Sequence, residues 1–217
     1  DLRSPVINVQ SETDVVGLRA VDSRQPDNAY FRLWEVAGTG HSDYYGAVSG
    51  REDQGTDPRF ATVVEETSIA GFINCATPIN AGPMPWIVNR ALSALHNWVS
   101  TGAEPPRAER LSLTDDNSDY HRDEYGNAKG GIRTPYLDAP AATLTGEINE
   151  GERFCNLFGS TRLFDAATMA SLYVDKAGYV AAVAKATDRA VARGFLLEVD
   201  GMRVKDAAAL QWDLLER

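Results

Sequence analysis

Two short apolar runs near the start of the chain constrain its fold more than any other feature. The first runs from Pro5 to Gln10 and reads PVINVQ, and the second runs from Phe31 to Val36 and reads FRLWEV. The first has the length and β-branched content of a central parallel strand that is buried on both faces. The connection, residues 11–30, is long enough for a crossover between parallel strands. The sequence therefore predicts an α/β unit in which these strands pair in parallel.

A helix is predicted from Trp86 to Ser100. Its apolar residues fall on one face, as expected of a helix that packs on a sheet; they are Ile87, Ala91, Leu95 and Trp98. Gly102 follows as a C-cap, and the Pro105-Pro106 pair prevents the helix from continuing. We therefore expect residues 1–104 to form the core of the fold, with this helix against the sheet.

The second half of the chain has a different pattern. Residues 107–150 alternate short β-like runs with turn residues, which predicts a small antiparallel, hairpin-like excursion. Residues 165–193 have a helical pattern that Gly194 ends, and a last helix is predicted over residues 202–216. We expect residues 105–217 to consist of this excursion and these C-terminal helices, packed on the same domain as the core.

The charge of the chain limits its partners. The formal net charge is -10 and the isoelectric point is about 4.8. Nucleic acids and anionic membrane surfaces require clustered lysine and arginine, so we expect neither as a partner. A small neutral or apolar substrate is favoured over a polyanionic one. No apolar run approaches the roughly 18 residues of a membrane span, so none is expected.

The chain contains two cysteines, Cys75 and Cys155. They are too few and too far apart for a zinc motif. Two interpretations stay open: two buried free thiols, or one disulfide that closes a long loop. A disulfide would indicate an oxidising compartment, such as the periplasm or the exterior of the cell, whereas free thiols would leave the cytoplasm open.

Asp14 and His41 each follow one of the predicted strands. Asp14 lies at the carboxyl end of the first, and His41 lies just past the second, after the turn Ala37 to Gly40. In open α/β sheets this edge binds ligands. A carboxylate that accepts from one imidazole nitrogen leaves the other free to take a proton from a nucleophile. Spacing alone also permits a helix-capping aspartate and an inert loop histidine.

Four stretches resemble the C-terminal half of a bacterial family of α/β-hydrolase-domain proteins, which are described as large esterases. They are VINVQSETDV, FRLWEVAGTGHSDYY, CATPINAGPMPWIVNRALSALHNWVSTGAEPP and DEYGNAKGGIRTPYLDAPAATLTG. The resemblance covers nearly the whole chain and implies the C-terminal part of an α/β-hydrolase fold, with its last parallel strands. It also implies that Asp14, after QSET, is the acid and His41, in AGTGH, the base of a Ser-His-Asp triad. The implied activity is carboxylic ester hydrolysis without a cofactor or metal.

The chain departs from this family in its nucleophile. The family's serine lies upstream, in a G-x-S-x-G-like elbow. The candidate serines of this chain lack the paired glycines; they are Ser42, Ser49, Ser68 and Ser160. Because the chain also opens directly on a predicted strand, we expect a fragment or one chain of a split protein. The nucleophile and oxyanion hole would then lie in a missing N-terminal half or a partner chain. The alternative is a non-catalytic binding or assembly module.

Residues next to His41 fit ordinary structural roles. Ser42 and Asp43 are expected to shape the loop, since sequence neighbours rarely have triad geometry. Tyr44 and Tyr45 are expected to pack, although they could line an acyl pocket. A nucleophilic Cys75 is a weaker alternative, because no glycine elbow supports it.

The remaining polar candidates are also expected to be structural. His96 falls on the flank of the predicted helix and His121 in a hydrophilic turn, so both are expected at the surface. The run Asp115 to Asp119 resembles the start of a calcium loop. It has Tyr120 where such a loop needs glycine and Gly126 where it needs glutamate, which favours a solvated turn.

Overall fold

The computed structural model describes residues 4–69, 71 and 73–216. Residues 1–3, 70 and 72, which belong to the predicted core, and residue 217, which follows the last predicted helix, lie outside the described residues. The fold is a mixture of helices and three two-stranded sheets.

The two apolar runs form a parallel pair, which confirms the prediction. Strand β1 (Val6–Ser11) and strand β2 (Phe31–Val36) run in register from one end to the other. Every residue of β2 is buried, because Ile132 lies against its other edge and forms a parallel bridge to Val36. Strand β1 is only partly buried, so the predicted burial on both its faces is wrong. Among the described strands β1 pairs with β2 alone, which leaves its second edge uncovered by them.

Helix α2 (Met84–Thr101) packs on this sheet, also as predicted. Its residues Ile87 and Ala91 share a buried cluster with Trp34 and Val36 of β2. The helix ends at Gly102, which has a positive φ of 78°. The chain then returns along β2: the indole Nε1 of Trp34 donates to the Pro106 carbonyl at 3.0 Å, and Arg32 Nε donates to the Pro105 carbonyl at 3.0 Å.

The segments between the sheet and the C-terminal helices are short. Helix α1 (Tyr44–Ala47) follows the His41 loop, and α3 (Pro135–Asp138) precedes strand β5 (Ala142–Thr145). An antiparallel pair, β3 (Ser68–Ile69) with β4 (Ile73–Asn74), has no counterpart in the sequence prediction. Single helical turns lie in the connections between these strands and helices, two of them between β1 and β2; they are Thr13–Gly17, Ala20–Ser23, Ser49–Arg51, Pro58–Ala61 and Cys155–Leu157.

The antiparallel excursion is present. Isolated antiparallel bridges join Leu111 to Gly130 and Leu113 to Tyr120, and a third joins Arg122 to Ala128. Strand β5 (Ala142–Thr145) then pairs in antiparallel fashion with β6 (Ser160–Leu163).

The helical pattern predicted over residues 165–193 is present, but it is divided into two helices. They are α4 (Ala166–Tyr173) and α5 (Lys176–Ala192). Between them Val174 has φ 69° and ψ -54°, and Asp175 N donates to the Tyr173 carbonyl at 2.8 Å, so the chain makes a γ-turn. The Asp175 carboxylate then accepts from Gly178 N and begins α5.

The last helix, α6 (Glu198–Leu215), begins before the predicted residue Met202. Its first turn carries Glu198 and Asp200, whose charges favour a helix amino terminus. The largest core cluster contains Trp86 of α2 together with residues of all three C-terminal helices, so it joins the two predicted parts of the chain. No helix in the described part of the chain is long and apolar enough to cross a membrane.

We expect Val174→Gly to stabilise the protein by about 1 kcal/mol. The side chain is 83% exposed, so its loss removes little packing, whereas a β-branched residue at positive φ is strained. Val174→Ala is the matched control: it keeps Cβ and most of the strain, and should gain less. Urea unfolding of the parent, the glycine variant and the alanine variant measures their differences in the free energy of unfolding. A glycine variant less stable than the alanine variant would show that the γ-turn is not strained.

Candidate active site

Asp14 and His41 lie against each other at the carboxyl edge of the parallel pair. Asp14 is in the helical turn that follows β1, and His41 ends the loop that follows β2. His41 Nδ1 is 2.6 Å from Asp14 Oδ1. The two side chains are 27 residues apart in sequence, and the parallel register of the strands brings them together.

The carboxylate of Asp14 is held on both oxygens. Its Oδ2 accepts from the backbone N–H of Ser11 at 2.7 Å and from the Ser11 hydroxyl at 2.8 Å, which leaves Oδ1 for His41. An ionised carboxylate only accepts hydrogen bonds, so His41 Nδ1 carries the proton in this pair. In the neutral imidazole Nε2 is then the basic nitrogen.

The loop that carries His41 is packed against two other segments. A Cβ on Gly38, whose φ is 74°, would lie 2.6 Å from Leu137 Cδ1, and one on Gly40 would lie 2.6 Å from the Ser42 carbonyl oxygen. Asn80 Nδ2 donates to the Gly38 carbonyl at 3.1 Å. The backbone that leads into His41 is therefore closely packed, whereas the histidine side chain is itself 46% exposed.

A buried acid, Glu12, lies beneath this pair and was not singled out from the sequence. Its Oε1 accepts from Gly38 N at 2.5 Å and its Oε2 accepts from Gly146 N at 2.9 Å. Burial raises the pKa of this carboxyl from 4.5 to about 7, although the two N–H donors and Arg122 oppose the rise. Its partner Gly146 is 134 residues away in sequence, so no local pattern could have identified the contact.

An open cavity of about 570 Å³ adjoins His41. Most of its lining is apolar or aromatic, and it consists of His41, Ser42, Asp43, Tyr45, Gly46, Ala47, Met84, Pro85, Val88, Asn89 and Phe158. This volume lies within the range of roughly 300–1,000 Å³ that is usual for small-molecule sites.

Asp43 and Tyr44 have the structural roles predicted for them, and Tyr45 packs on the core while it also lines the cavity. Asp43 caps α1 by accepting from Gly46 N at 2.6 Å, and burial raises its pKa to about 6. Tyr44 packs between two core clusters. Tyr45 lines the cavity and donates to Asp53 Oδ2 at 2.6 Å.

No nucleophile meets His41 within residues 4–69, 71 and 73–216: none of their side chains forms a hydrogen bond with its Nε2. Ser160 instead bonds to the Thr145 hydroxyl at 2.9 Å, and Ser68 lies in β3. Cys75 is bonded to Cys155, which decides between the two interpretations of the cysteines and removes Cys75 as a thiol nucleophile.

The other polar candidates lie at the surface. His96 is exposed on α2, and the exposed His121 has its Nδ1 3.0 Å from the Ser112 hydroxyl. Asp116 is exposed within its turn and accepts from Thr114 and Ser118, and these hydrogen bonds lower its pKa to about 2. In the part of the chain that the structure describes, no group of three potential metal ligands comes together.

Comparison with known proteins gives one match. A family model described as an alpha/beta hydrolase domain matches residues 1–206. No curated protein and no solved structure matches the chain.

Proposed function

The chain belongs to this alpha/beta-hydrolase-domain family, and from that premise we propose that it supplies the acid and base of a serine esterase. Membership of the family indicates a hydrolase. The observation that carries the finer proposal is the contact of 2.6 Å between His41 Nδ1 and Asp14 Oδ1 beside an open cavity. A held carboxylate, an oriented imidazole and space for a substrate are the parts that a triad needs apart from its serine.

In the proposed reaction His41 Nε2 takes the proton of a serine hydroxyl while the serine oxygen attacks the ester carbonyl carbon. Asp14 remains ionised, holds the ring and stabilises the imidazolium. The imidazolium then donates its proton to the leaving alkoxide, which departs as an alcohol and leaves an acyl-enzyme. A water molecule, deprotonated in turn by His41, attacks the acyl carbon and releases the carboxylic acid.

We place the serine and the oxyanion hole in an N-terminal half of the same protein or in a partner chain. Two observations support this. His41 Nε2 has no hydrogen-bond partner among the described residues, and the second edge of β1 has no strand beside it among them. An open strand edge presents unpaired N–H and C=O groups that another strand can cover. The chain would then be the C-terminal part of the hydrolase fold.

The substrate is proposed to be a small neutral or apolar ester. The cavity beside His41 presents Met84, Pro85, Val88 and Phe158, which suit an apolar acyl or alcohol group. The net charge of -10 disfavours the approach of an anionic substrate.

A fluorophosphonate probe that labels activated serines tests the proposal. We expect intact-mass analysis of the labelled, purified protein to place the label on a serine outside these 217 residues, and His41→Ala to abolish it. His96→Ala, which replaces an exposed side chain outside the cavity, is the control and should still label. A label on a serine of this chain would contradict the split arrangement.

The lack of a nucleophile beside His41 among the described residues also favours a second candidate, a non-catalytic binding or assembly module. The mass of the expressed precursor and its upstream sequence separate the two. A precursor that carries an upstream G-x-S-x-G elbow supports the esterase, and a gene without one supports the module.

A further inference from the structure

We propose that Glu12 is a positioning residue that locks the loop of Asp14 to the loop of His41. This rests on the proposed function, since it assigns a role in that same site. The carboxylate lies between two backbone N–H groups, Gly38 N at 2.5 Å and Gly146 N at 2.9 Å. Gly38 begins the turn that leads to His41, and Glu12 itself is two residues before Asp14. One side chain therefore links both halves of the acid–base pair.

The backbone around Glu12 reinforces the same junction. Glu12 N donates to the Thr39 carbonyl at 3.1 Å, and the Tyr120 hydroxyl donates to the Glu12 carbonyl at 2.5 Å. The Thr13 hydroxyl donates to the Gly146 carbonyl at 2.7 Å. A Cβ on Gly146 would collide with Glu12, Thr13 and Thr39 together, so only glycine lets the three segments approach this closely.

Burial of an ionised carboxylate at this position costs free energy, which argues that Glu12 has a specific role there. Glu12 is fully buried, and among the described residues the cation paired with it is Arg122, whose Nη1 is 3.9 Å from Oε2, outside hydrogen-bond distance. Glu147 faces it with like charge. A glutamine in the same place would present one N–H₂ group where the carboxylate presents an acceptor. It could then satisfy only one of the two N–H donors.

The hydrogen bonds to Glu12 do not touch the reacting atoms, so its effect must pass through His41. If the Gly38 N–H loses its acceptor, the turn from Gly38 to His41 can shift. The geometry of the bond from His41 Nδ1 to Asp14 Oδ1 then loosens. The measurable consequence is a smaller population of the Nδ1–H form of His41.

The test uses the full chain labelled with ¹⁵N-histidine. The chain has three histidines, so each ring can be assigned by single substitution. In the parent protein we expect a low-field Nδ1 proton on His41 that exchanges slowly. In Glu12→Gln we expect this signal to be lost, or its exchange to be about tenfold faster or more. In Glu12→Asp, which keeps the charge on a shorter side chain, the exchange rate of this proton should lie between those of the parent and Glu12→Gln.

Two controls separate the possible causes. Glu35→Gln removes another fully buried carboxylate, which accepts from Leu111 N and from Arg24 Nε, each at 2.7 Å, and forms no hydrogen bond with residues 12–14 or 37–41. Glu35→Gln should leave the His41 signal intact. If it weakens the signal as much as Glu12→Gln does, the positioning role of Glu12 is overturned. Asp14→Asn should abolish the signal. If the His41 signal survives in Asp14→Asn, the acid–base pair itself is overturned. If the signal is lost in Asp14→Asn but survives in both Glu12 variants, only the role of Glu12 is overturned.

Discussion

Replacing His41 with alanine in the complete hydrolase is expected to lower kcat by about 10⁴-fold or more. In the proposed mechanism the imidazole accepts the serine proton and returns it to the leaving alcohol. Without the imidazole, water must carry out both proton transfers. Initial rates with a neutral p-nitrophenyl ester, compared at equal active-site concentration, measure the loss.

The same experiment should include Asp14→Asn, for which we expect a loss of about 10⁴-fold. An amide at position 14 can donate to Nδ1, which would place the imidazole proton on Nε2 and remove the base. Because the two residues act as a unit, the double variant should be no slower than His41→Ala alone. An additive loss would show that Asp14 acts elsewhere.

The controls for this series are the other histidines. His96→Ala and His121→Ala replace exposed side chains that lie outside the cavity, so neither should change kcat. A His41→Ala enzyme within a factor of about ten of the parent would contradict the assignment of the base.

The pair at the centre of the site could be predicted because it depends on a local rule. Asp14 and His41 each follow a short apolar run, and parallel strands bring their carboxyl ends to one edge. The parallel pairing of Phe31–Val36 with Val6–Ser11 and the helix on the sheet followed from the same patterns.

Features that depend on distant contacts could not be predicted. The apolar pattern of β1 does not reveal that it is an edge among the described strands, since exposure is set by what lies beside it. The break at Val174 has no proline or glycine to mark it. The role of Glu12 as a hydrogen-bond acceptor depends on the distant Gly146. Two cysteines in a sequence are equally compatible with free thiols and with the disulfide that the structure contains.

Loss of the Cys75–Cys155 disulfide is expected to lower the free energy of unfolding by about 4 kcal/mol. The cysteines are 80 residues apart, so the bond restricts a long loop in the unfolded chain. The double variant Cys75→Ser/Cys155→Ser avoids a leftover thiol. Urea unfolding should give this lower free energy together with a larger m-value, since the unfolded chain becomes more expanded.

The same bond should matter for catalysis, because it anchors the turn that supports His41. Cys155 begins the turn Cys155–Leu157, and the Leu157 carbonyl accepts from Ser42 N at 2.9 Å, directly after His41. Phe158, the next residue, lines the cavity. At a temperature where the variant is still folded, we expect kcat in the complete enzyme to fall by about 10- to 100-fold, as for a small misplacement of a catalytic group.

Reduction of the disulfide in the parent protein tests, without any substitution, whether this bond supports catalysis. Both cysteines are buried, so a reductant can reach the bond only when this region opens, and the loss of activity should lag behind mixing. The double serine variant is the control, because the reductant should leave its rate unchanged. If the reduced parent keeps full kcat while its unfolding free energy falls, the bond stabilises the fold but does not position His41. If both fall together, the disulfide is part of the structure that holds the base in place.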